Sequence, residues 1–271
     1  MMFFDFIPDG AEDCYVQAWI HSYDENEFTQ RPRPTVVICP GGAYEMISKR
    51  EAEPVALQFF ANGYNTFILN YSVKEKAKEF KPLCQLASTV LYIRNHADEW
   101  MIAKQKIAVC GFSAGGHLAA SLGILHNEKA FLSAFGKTDN IRPNAMILGY
   151  PVITADEHGH VPTLENVSGA KRGSEEYKRF GLDQYVDSQT SPAFIWHTEE
   201  DSIVPVENSL KLSLRLASVK VPFELHVFPH GPHGMSVCTK EVENTMIPIT
   251  SDYPWIELCV KWMNKLFDFS L

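Results

Sequence analysis

Four short stretches of this chain carry the residue types that nucleophilic catalysis needs. The first is Gly111-Phe112-Ser113-Ala114-Gly115. It follows an apolar run at 106–110 and opens an apolar, helix-like segment at 114–125. A serine on such a tight strand-to-helix turn has its hydroxyl pushed into open space. The turn crowds the positions two before and two after it, so both must be small. A helix N-terminus beside the serine also stabilises developing negative charge. Roughly one chain in ten of this length contains the bare pattern by chance, so its place between strand and helix carries the weight. The second stretch is Pro40-Gly41-Gly42-Ala43-Tyr44, directly after an apolar run at 35–39. Such a turn can aim backbone N–H groups at a carbonyl oxygen as it becomes an oxyanion. The expected donors are Gly42 and Ala43 together with Ala114, and losing one such donor costs about 3 kcal/mol of transition-state stabilisation.

The third stretch is His197-Thr-Glu-Glu-Asp201-Ser-Ile-Val-Pro205, at the end of another apolar run. A carboxylate here can orient an imidazole and stabilise its protonated form. Asp201 is the choice, with Glu199 and Glu200 as competitors. His197 lies inside the strand run and reads as a core histidine. The fourth stretch, His230-Gly-Pro-His233-Gly-Met, follows the last strong strand-like run. Of its two histidines, each followed by glycine, His233 sits deeper in the turn, so it is preferred as the base. His117 on the helix after the serine reads as a packing residue. His158-Gly-His160 could meet His230 and His233 around a metal, but no cysteine or carboxylate spacing supports a zinc site. No phosphate-loop or dinucleotide pattern is present, so neither cofactor nor metal is expected.

The elements that must hold these residues alternate. Strands are predicted at 35–39, 65–71, 106–110, 145–148, 193–198 and 223–228. Helices are predicted at 54–62, after Pro82, at 114–125, at 209–218 and at 255–266. Pro54 suits a first helical turn and Gly63 a helix stop. This rhythm implies an α/β fold, a mostly parallel twisted sheet with helices on both faces. Residues 1–34 read as early β-structure ending in the stiff Arg31-Pro-Arg-Pro34. Residues 154–191 are polar with little periodicity and read as a small insertion or cap after a late strand, within one domain spanning 1–271.

The 271 residues are 45% hydrophobic and 12% aromatic, enough for a large core. Lys and Arg number 24 against 33 Asp and Glu, a net charge of −9. That balance disfavours nucleic acid, and no long apolar run suggests a membrane span or signal peptide. Six scattered cysteines, none in a Cys-x-x-Cys pair, suit reduced thiols and a cytoplasmic location. The oligomeric state is left open, a homodimer included.

With these motifs in order, the chain resembles the α/β-hydrolase superfamily over nearly its whole length. It is most similar to the esterase and lipase-like branch with acetyl-xylan-esterase-like and feruloyl-esterase-like bacterial enzymes. Four stretches carry the resemblance: residues 39–44, 111–117, 197–205 and 232–234. It implies a triad of Ser113, Asp201 and His233 with no cofactor. Where hormone-sensitive-lipase-like relatives have His-Gly-Gly-Gly, this chain has Pro40-Gly41-Gly42-Ala43. The donors survive that alanine only if its position does not need a positive φ. The expected reaction is hydrolysis of short-chain, acetyl-type esters, with sugars as candidate alcohols; Tyr44, Phe112 and Tyr150 are candidates to line the acyl or alcohol pocket, with ordinary core packing as the equal alternative. A peptidase or amidase of the same superfamily and an inactive binding protein are the competing readings.

Overall fold

Strands buried on both faces need apolar residues at every position, whereas helices that cover them need only one apolar stripe. The computed structural model describes residues 1–22, 31–135, 138–249 and 251–271. The first half runs β1 (Met2–Phe6), β2 (Tyr15–Ile20), β3 (Arg33–Cys39), α1 (Glu53–Ala61), β4 (Asn65–Asn70), α2 (Lys81–Asn95), β5 (Ile102–Phe112) and α3 (Ala114–Leu125). The second half runs α4 (Lys129–Phe135), β6 (Ala145–Gly149), α5 (Val161–Ser168), α6 (Glu175–Lys178), β7 (Ala193–Thr198), α7 (Glu207–Ser218), β8 (Phe223–Phe228) and α8 (Trp255–Phe267). Within the described residues these strands form one sheet in the order β1-β2-β4-β3-β5-β6-β7-β8. The pairs β1–β2 and β2–β4 are antiparallel, and the rest of the sheet is parallel.

Alternation along β3 sorts the core onto two faces. Val37 and Cys39 pack with Leu86 and Val90 of α2, Leu118 and Leu122 of α3, and Leu212 and Leu216 of α7. Val36 and Ile38 pack on the opposite face with Val55 and Phe59 of α1 and Trp255 and Met263 of α8. Fully burying one such large aliphatic or aromatic side chain contributes about 1.5–3 kcal/mol. The parallel strands therefore all end at one edge, and the loops leaving β3, β5, β6, β7 and β8 meet there.

Several boundaries differ from the sequence reading. β5 starts earlier than predicted, because Arg33 pairs with Ile102 beyond a register shift that brings polar Lys104 and Gln105 into the strand. The insertion at 154–191 is not irregular throughout. It holds α5, entered by a first-turn Pro162 and stopped by Gly169 at φ +68°, then α6 and a 3-10 turn at Asp183–Tyr185. These pieces are too short for a helical period to stand out. The helix α4 was not foreseen. The early β-structure is present as β1 and β2, while residues 23–30 of that predicted segment lie outside the described residues. Among the described residues no helix is long and apolar enough to cross a membrane.

Candidate active site

Ser113 joins β5 to α3 at φ +52° and ψ −119°. A non-glycine residue persists in such a region only where its surroundings enforce it, at a cost of about 1–3 kcal/mol. Here the Ser113 N–H donates to the Gly149 carbonyl at 3.1 Å, and the Ser113 carbonyl accepts from His117 N–H at 3.0 Å and Val152 N–H at 3.2 Å. The flanking glycines are sterically required. A Cβ at Gly111 would stand 2.0 Å from the Gly115 carbonyl oxygen, and one at Gly115 would stand 2.0 Å from the carbonyl oxygen of Cys39. The second glycine thus lets the serine turn close against the end of β3, where the glycine loop begins.

His233 reaches the serine from the loop after β8, with Nε2 2.9 Å from Ser113 Oγ and Nδ1 2.7 Å from Asp201 Oδ2. A carboxylate only accepts, so Nδ1 carries the proton and the Nε2 lone pair faces the serine hydroxyl. Asp201 is 4% exposed, and its Oδ1 accepts from Ile203 N–H at 3.0 Å and Val204 N–H at 2.9 Å. Burial pushes its pKa up, but hydrogen bonds from His197 and His233 outweigh burial and hold the carboxyl below its ordinary range. His197 is buried, with Nδ1 2.8 Å from Ser209 Oγ and Nε2 2.8 Å from the Val204 carbonyl. The same Nε2 lies 3.3 Å from Asp201 Oδ2, so this core histidine also braces the carboxylate. His230 is exposed and pairs with Glu200 instead, Nδ1 to Oε1 at 2.9 Å.

The glycine loop presents its amides beside the serine. Gly41 N–H donates to Glu51 Oε2 at 2.8 Å. The next two amides, of Gly42 and Ala43, have no hydrogen-bond partner among the described residues. Gly42 has φ +123°, and a Cβ there would stand 2.2 Å from the Met46 carbonyl oxygen, so only glycine fits. Ala43 corrects an expectation. Its φ is +54° and that of Tyr44 is +55°, so the position does need the left-handed region, at about 1–2 kcal/mol per residue; the alanine adopts it all the same, and its N–H stays without a partner among the described residues. The loop is held there by Asn166 Nδ2 donating to the Ala43 carbonyl at 2.8 Å and Lys74 N–H donating to the Tyr44 carbonyl at 2.7 Å. Ala114, the third expected donor, is the first residue of α3, where backbone N–H groups have no intrahelical acceptor.

The aromatic candidates for pocket lining are instead the floor beneath the site. Tyr44 is 1%, Phe112 0% and Tyr150 1% exposed. The Tyr44 hydroxyl donates to His117 Nδ1 at 2.9 Å, and His117 Nε2 meets the Phe180 carbonyl at 2.9 Å. Phe112 shares the α8 face with Cys110 because the two alternate along β5, and its ring packs against Trp255. Tyr150 lays its ring edge-on to His233 at 4.9 Å. Its hydroxyl donates to Glu51 Oε1 at 2.7 Å and accepts from Ser236 N–H at 2.9 Å.

Of the remaining histidines, His160 lies near enough to His233 and Asp201 for their charges to act on it. Burial pushes the pKa of His117 down to about 4, and the same holds for His160, whose Nδ1 lies 2.7 Å from Thr163 Oγ1. His158 sits beside Asp156 and Glu157 on the surface, with Lys211 drawn to both Asp156 and His158. Glu51 is the residue that sequence reading missed. It falls in an ordinary charged segment, Lys49-Arg50-Glu51, and nothing local marks it as buried.

A mostly parallel sheet in this strand order, with serine after β5, a carboxylate after β7 and histidine after β8, defines an α/β hydrolase. The chain belongs to the BD-FAE family, whose model matches residues 23–216. It is 35% identical over 227 residues to endo-1,4-beta-xylanase B of Butyrivibrio fibrisolvens, covering 83% of this chain and 35% of that protein. It is 28% identical over 213 residues to an acetylxylan esterase of Xylanibacter ruminicola, covering 75% of this chain and 41% of that protein. The chain therefore spans less than half the length of these two relatives. Among solved structures, it resembles MGS-M1, an α/β hydrolase from a Medee basin deep-sea metagenome library. The TM-score is 0.80, with 32% identity and 99% of each chain covered.

Proposed function

We propose that this chain hydrolyses carboxylic esters through an acyl-enzyme on Ser113, acting on short acyl groups such as acetyl carried on a sugar hydroxyl. The observation that carries the reading is the hydrogen-bonded series Ser113 Oγ, His233 and Asp201, at 2.9 and 2.7 Å. His233 Nε2 takes the hydroxyl proton as Ser113 Oγ attacks the ester carbonyl. The amides of Gly42, Ala43 and Ala114 hold the oxyanion, and the protonated His233 then supplies the leaving alcohol. Water, deprotonated by the same imidazole, releases the acid. Asp201, kept ionised by its own loop amides and by His197, stabilises the imidazolium at each step.

The acetyl and sugar assignment is supported by the relative named acetylxylan esterase. The xylanase name belongs to a protein of which this chain spans 35%. Glycoside cleavage needs two carboxyl groups flanking the sugar bond. Near Ser113, Asp201 and Glu51 are both buried and already hydrogen-bonded within the fold, which favours ester over glycoside chemistry.

The test is turnover of p-nitrophenyl acetate by the unmodified protein and by Ser113→Ala, beside the octanoyl ester and an acetanilide analogue. The expected result is a loss of about 10³-fold or more in the variant, with acetyl preferred over octanoyl and ester over amide. Equal activity of the two proteins overturns the role of Ser113. Preference for the anilide moves the assignment to an amidase, and binding without turnover moves it to an inactive scaffold.

A further inference from the structure

We propose that Glu51 is a positioning residue, whose buried carboxylate ties the oxyanion loop and the histidine loop into one frame behind Ser113. This rests on the ester-hydrolase reading above. Glu51 closes a 3-10 turn at Lys49–Glu51 and is 4% exposed. Its two oxygens serve different loops. Oε2 accepts the Gly41 N–H at 2.8 Å, immediately before the two amides assigned to the oxyanion. Oε1 accepts the Tyr150 hydroxyl at 2.7 Å, and the Tyr150 oxygen in turn accepts the N–H of Ser236, three residues beyond His233. Ser236 is fixed a second time, its hydroxyl donating to the carbonyl of Arg50, the neighbour of Glu51.

The placement leaves no slack. A Cβ on Gly41 would stand 2.6 Å from Glu51 Oε2 and 3.1 Å from Ser113 Cβ, so the carboxylate lies against the same backbone that seats the nucleophile. Its two hydrogen-bond donors are an amide and a phenol, and among the described residues no ion pair involves it. Burying a carboxylate on neutral donors is costly, and an apolar side chain of similar size would often stabilise such a site more. What the carboxylate supplies is two acceptors in a fixed geometry. Taking the Gly41 N–H sets the plane of the Pro40–Gly41 peptide, from which the loop turns to present Gly42 and Ala43. Tyr150 passes the same constraint to the histidine loop, while its ring packs edge-on against His233. The oxyanion donors and the base are thereby held at one distance from Ser113.

The test compares Glu51→Ala, Glu51→Gln and Tyr150→Phe with the unmodified enzyme. The readouts are kcat and KM for p-nitrophenyl acetate, the inhibition constant of a trifluoromethyl ketone that mimics the tetrahedral intermediate, and folding by circular dichroism. For Glu51→Ala, kcat is expected to fall about 100-fold with KM within about threefold, and the inhibition constant to rise in parallel. Glu51→Gln keeps an acceptor for Gly41 and is expected to recover about tenfold of that loss. Tyr150→Phe is expected to lower kcat about tenfold, since it frees the Ser236 amide of the histidine loop and leaves Glu51 Oε1 without its donor while keeping the Gly41 contact. Should Glu51→Ala fail to fold, the glutamine and phenylalanine variants carry the test. A folded set of variants with lower thermal stability but unchanged kcat and inhibitor affinity overturns the proposal. An inactive unmodified enzyme overturns the ester-hydrolase reading, and this proposal with it.

Discussion

His230 and His233 leave the same loop yet turn to different carboxylates. His230 Nδ1 meets Glu200 at 2.9 Å in the open, and His233 Nδ1 meets Asp201 at 2.7 Å in the interior. Neighbouring acids on the loop after β7 are thus paired one to one with the histidines on the loop after β8. The inner pair reaches Ser113 and the outer pair does not. His233→Ala is expected to lower kcat/KM by about 10³-fold or more, because the proposed base is lost. His230→Ala removes a solvent-exposed contact with Glu200, of a kind that contributes little, and is expected to keep kcat/KM within about twofold of the parent. Steady-state kinetics on one acetyl ester separates the two. Inactivation by both substitutions would mean that the outer pair also contributes to the site.

Asp201→Asn isolates the carboxylate. The amide matches its shape but can present an NH2 group to His233, which favours the tautomer with Nε2 protonated and spoils the base. The expected loss in kcat is on the order of 10³–10⁴-fold, with the fold retained because Oδ1 can still accept from Ile203 and Val204. A loss of less than tenfold would assign the orienting role to a group other than Asp201.

The two residues of the glycine loop should respond in opposite ways. Gly42→Ala must place a Cβ 2.2 Å from the Met46 carbonyl oxygen, at φ +123°. The loop has to move, and kcat is expected to fall by about 10²–10³-fold as a donor leaves the oxyanion. Ala43→Gly keeps the amide and relieves the left-handed strain at φ +54°. It should retain activity within a few-fold and change stability by no more than about 1 kcal/mol in either direction, since glycine also adds unfolded-state entropy. Kinetics together with thermal unfolding of both variants decides the matter. A fully active Gly42→Ala would remove Gly42 from the oxyanion hole.

What was legible in the sequence was what is local. The serine turn announces itself because Gly111 is required by the Gly115 carbonyl only four residues on, although Gly115 is required by the Cys39 carbonyl at the end of β3. Asp201 and His233 were legible as candidates because each follows a strand-like run, β7 buried throughout and β8 half-buried at the sheet edge. For the aromatic residues, left open between pocket and core, the pattern already favoured the core. Ala108, Cys110 and Phe112 alternate onto the α8 face, so Phe112 continues the core rather than opening a pocket. Glu51 was not legible, because its partners Gly41 and Tyr150 are 10 and 99 residues away and its own segment looks solvated. The left-handed turn at Ala43 was hidden in the same way, since its anchor Asn166 lies 123 residues further on, in the insertion.

A separate contact between distant segments, Tyr44 and Phe180, runs through His117 and makes stability depend on pH. Its Nδ1 accepts the Tyr44 hydroxyl and its Nε2–H meets the Phe180 carbonyl, so the folded site holds the neutral ring. Burial lowers its pKa from 6.5 to about 4. The folded-state value lies below the unfolded one, so between these values the unfolded chain binds more protons. Stability is therefore fully present above about pH 6.5 and is lost as pH falls towards 4. For a shift of this size the loss is about 3 kcal/mol, or roughly 6–12 °C in Tm for a chain of this length. His21 and His160, each lowered to about 4 by burial, act in the same window with smaller effect because they are partly exposed. Asp201 acts in a separate window, because its lowered pKa contributes stability above the unfolded carboxyl value that is lost only at still lower pH. Thermal unfolding of the parent and of His117→Gln at pH 7 and at pH 4.5 checks the assignment. The parent should lose markedly more stability between the two conditions than the variant, whatever the variant's stability at pH 7. Parallel losses in the two proteins would exclude His117 as the source.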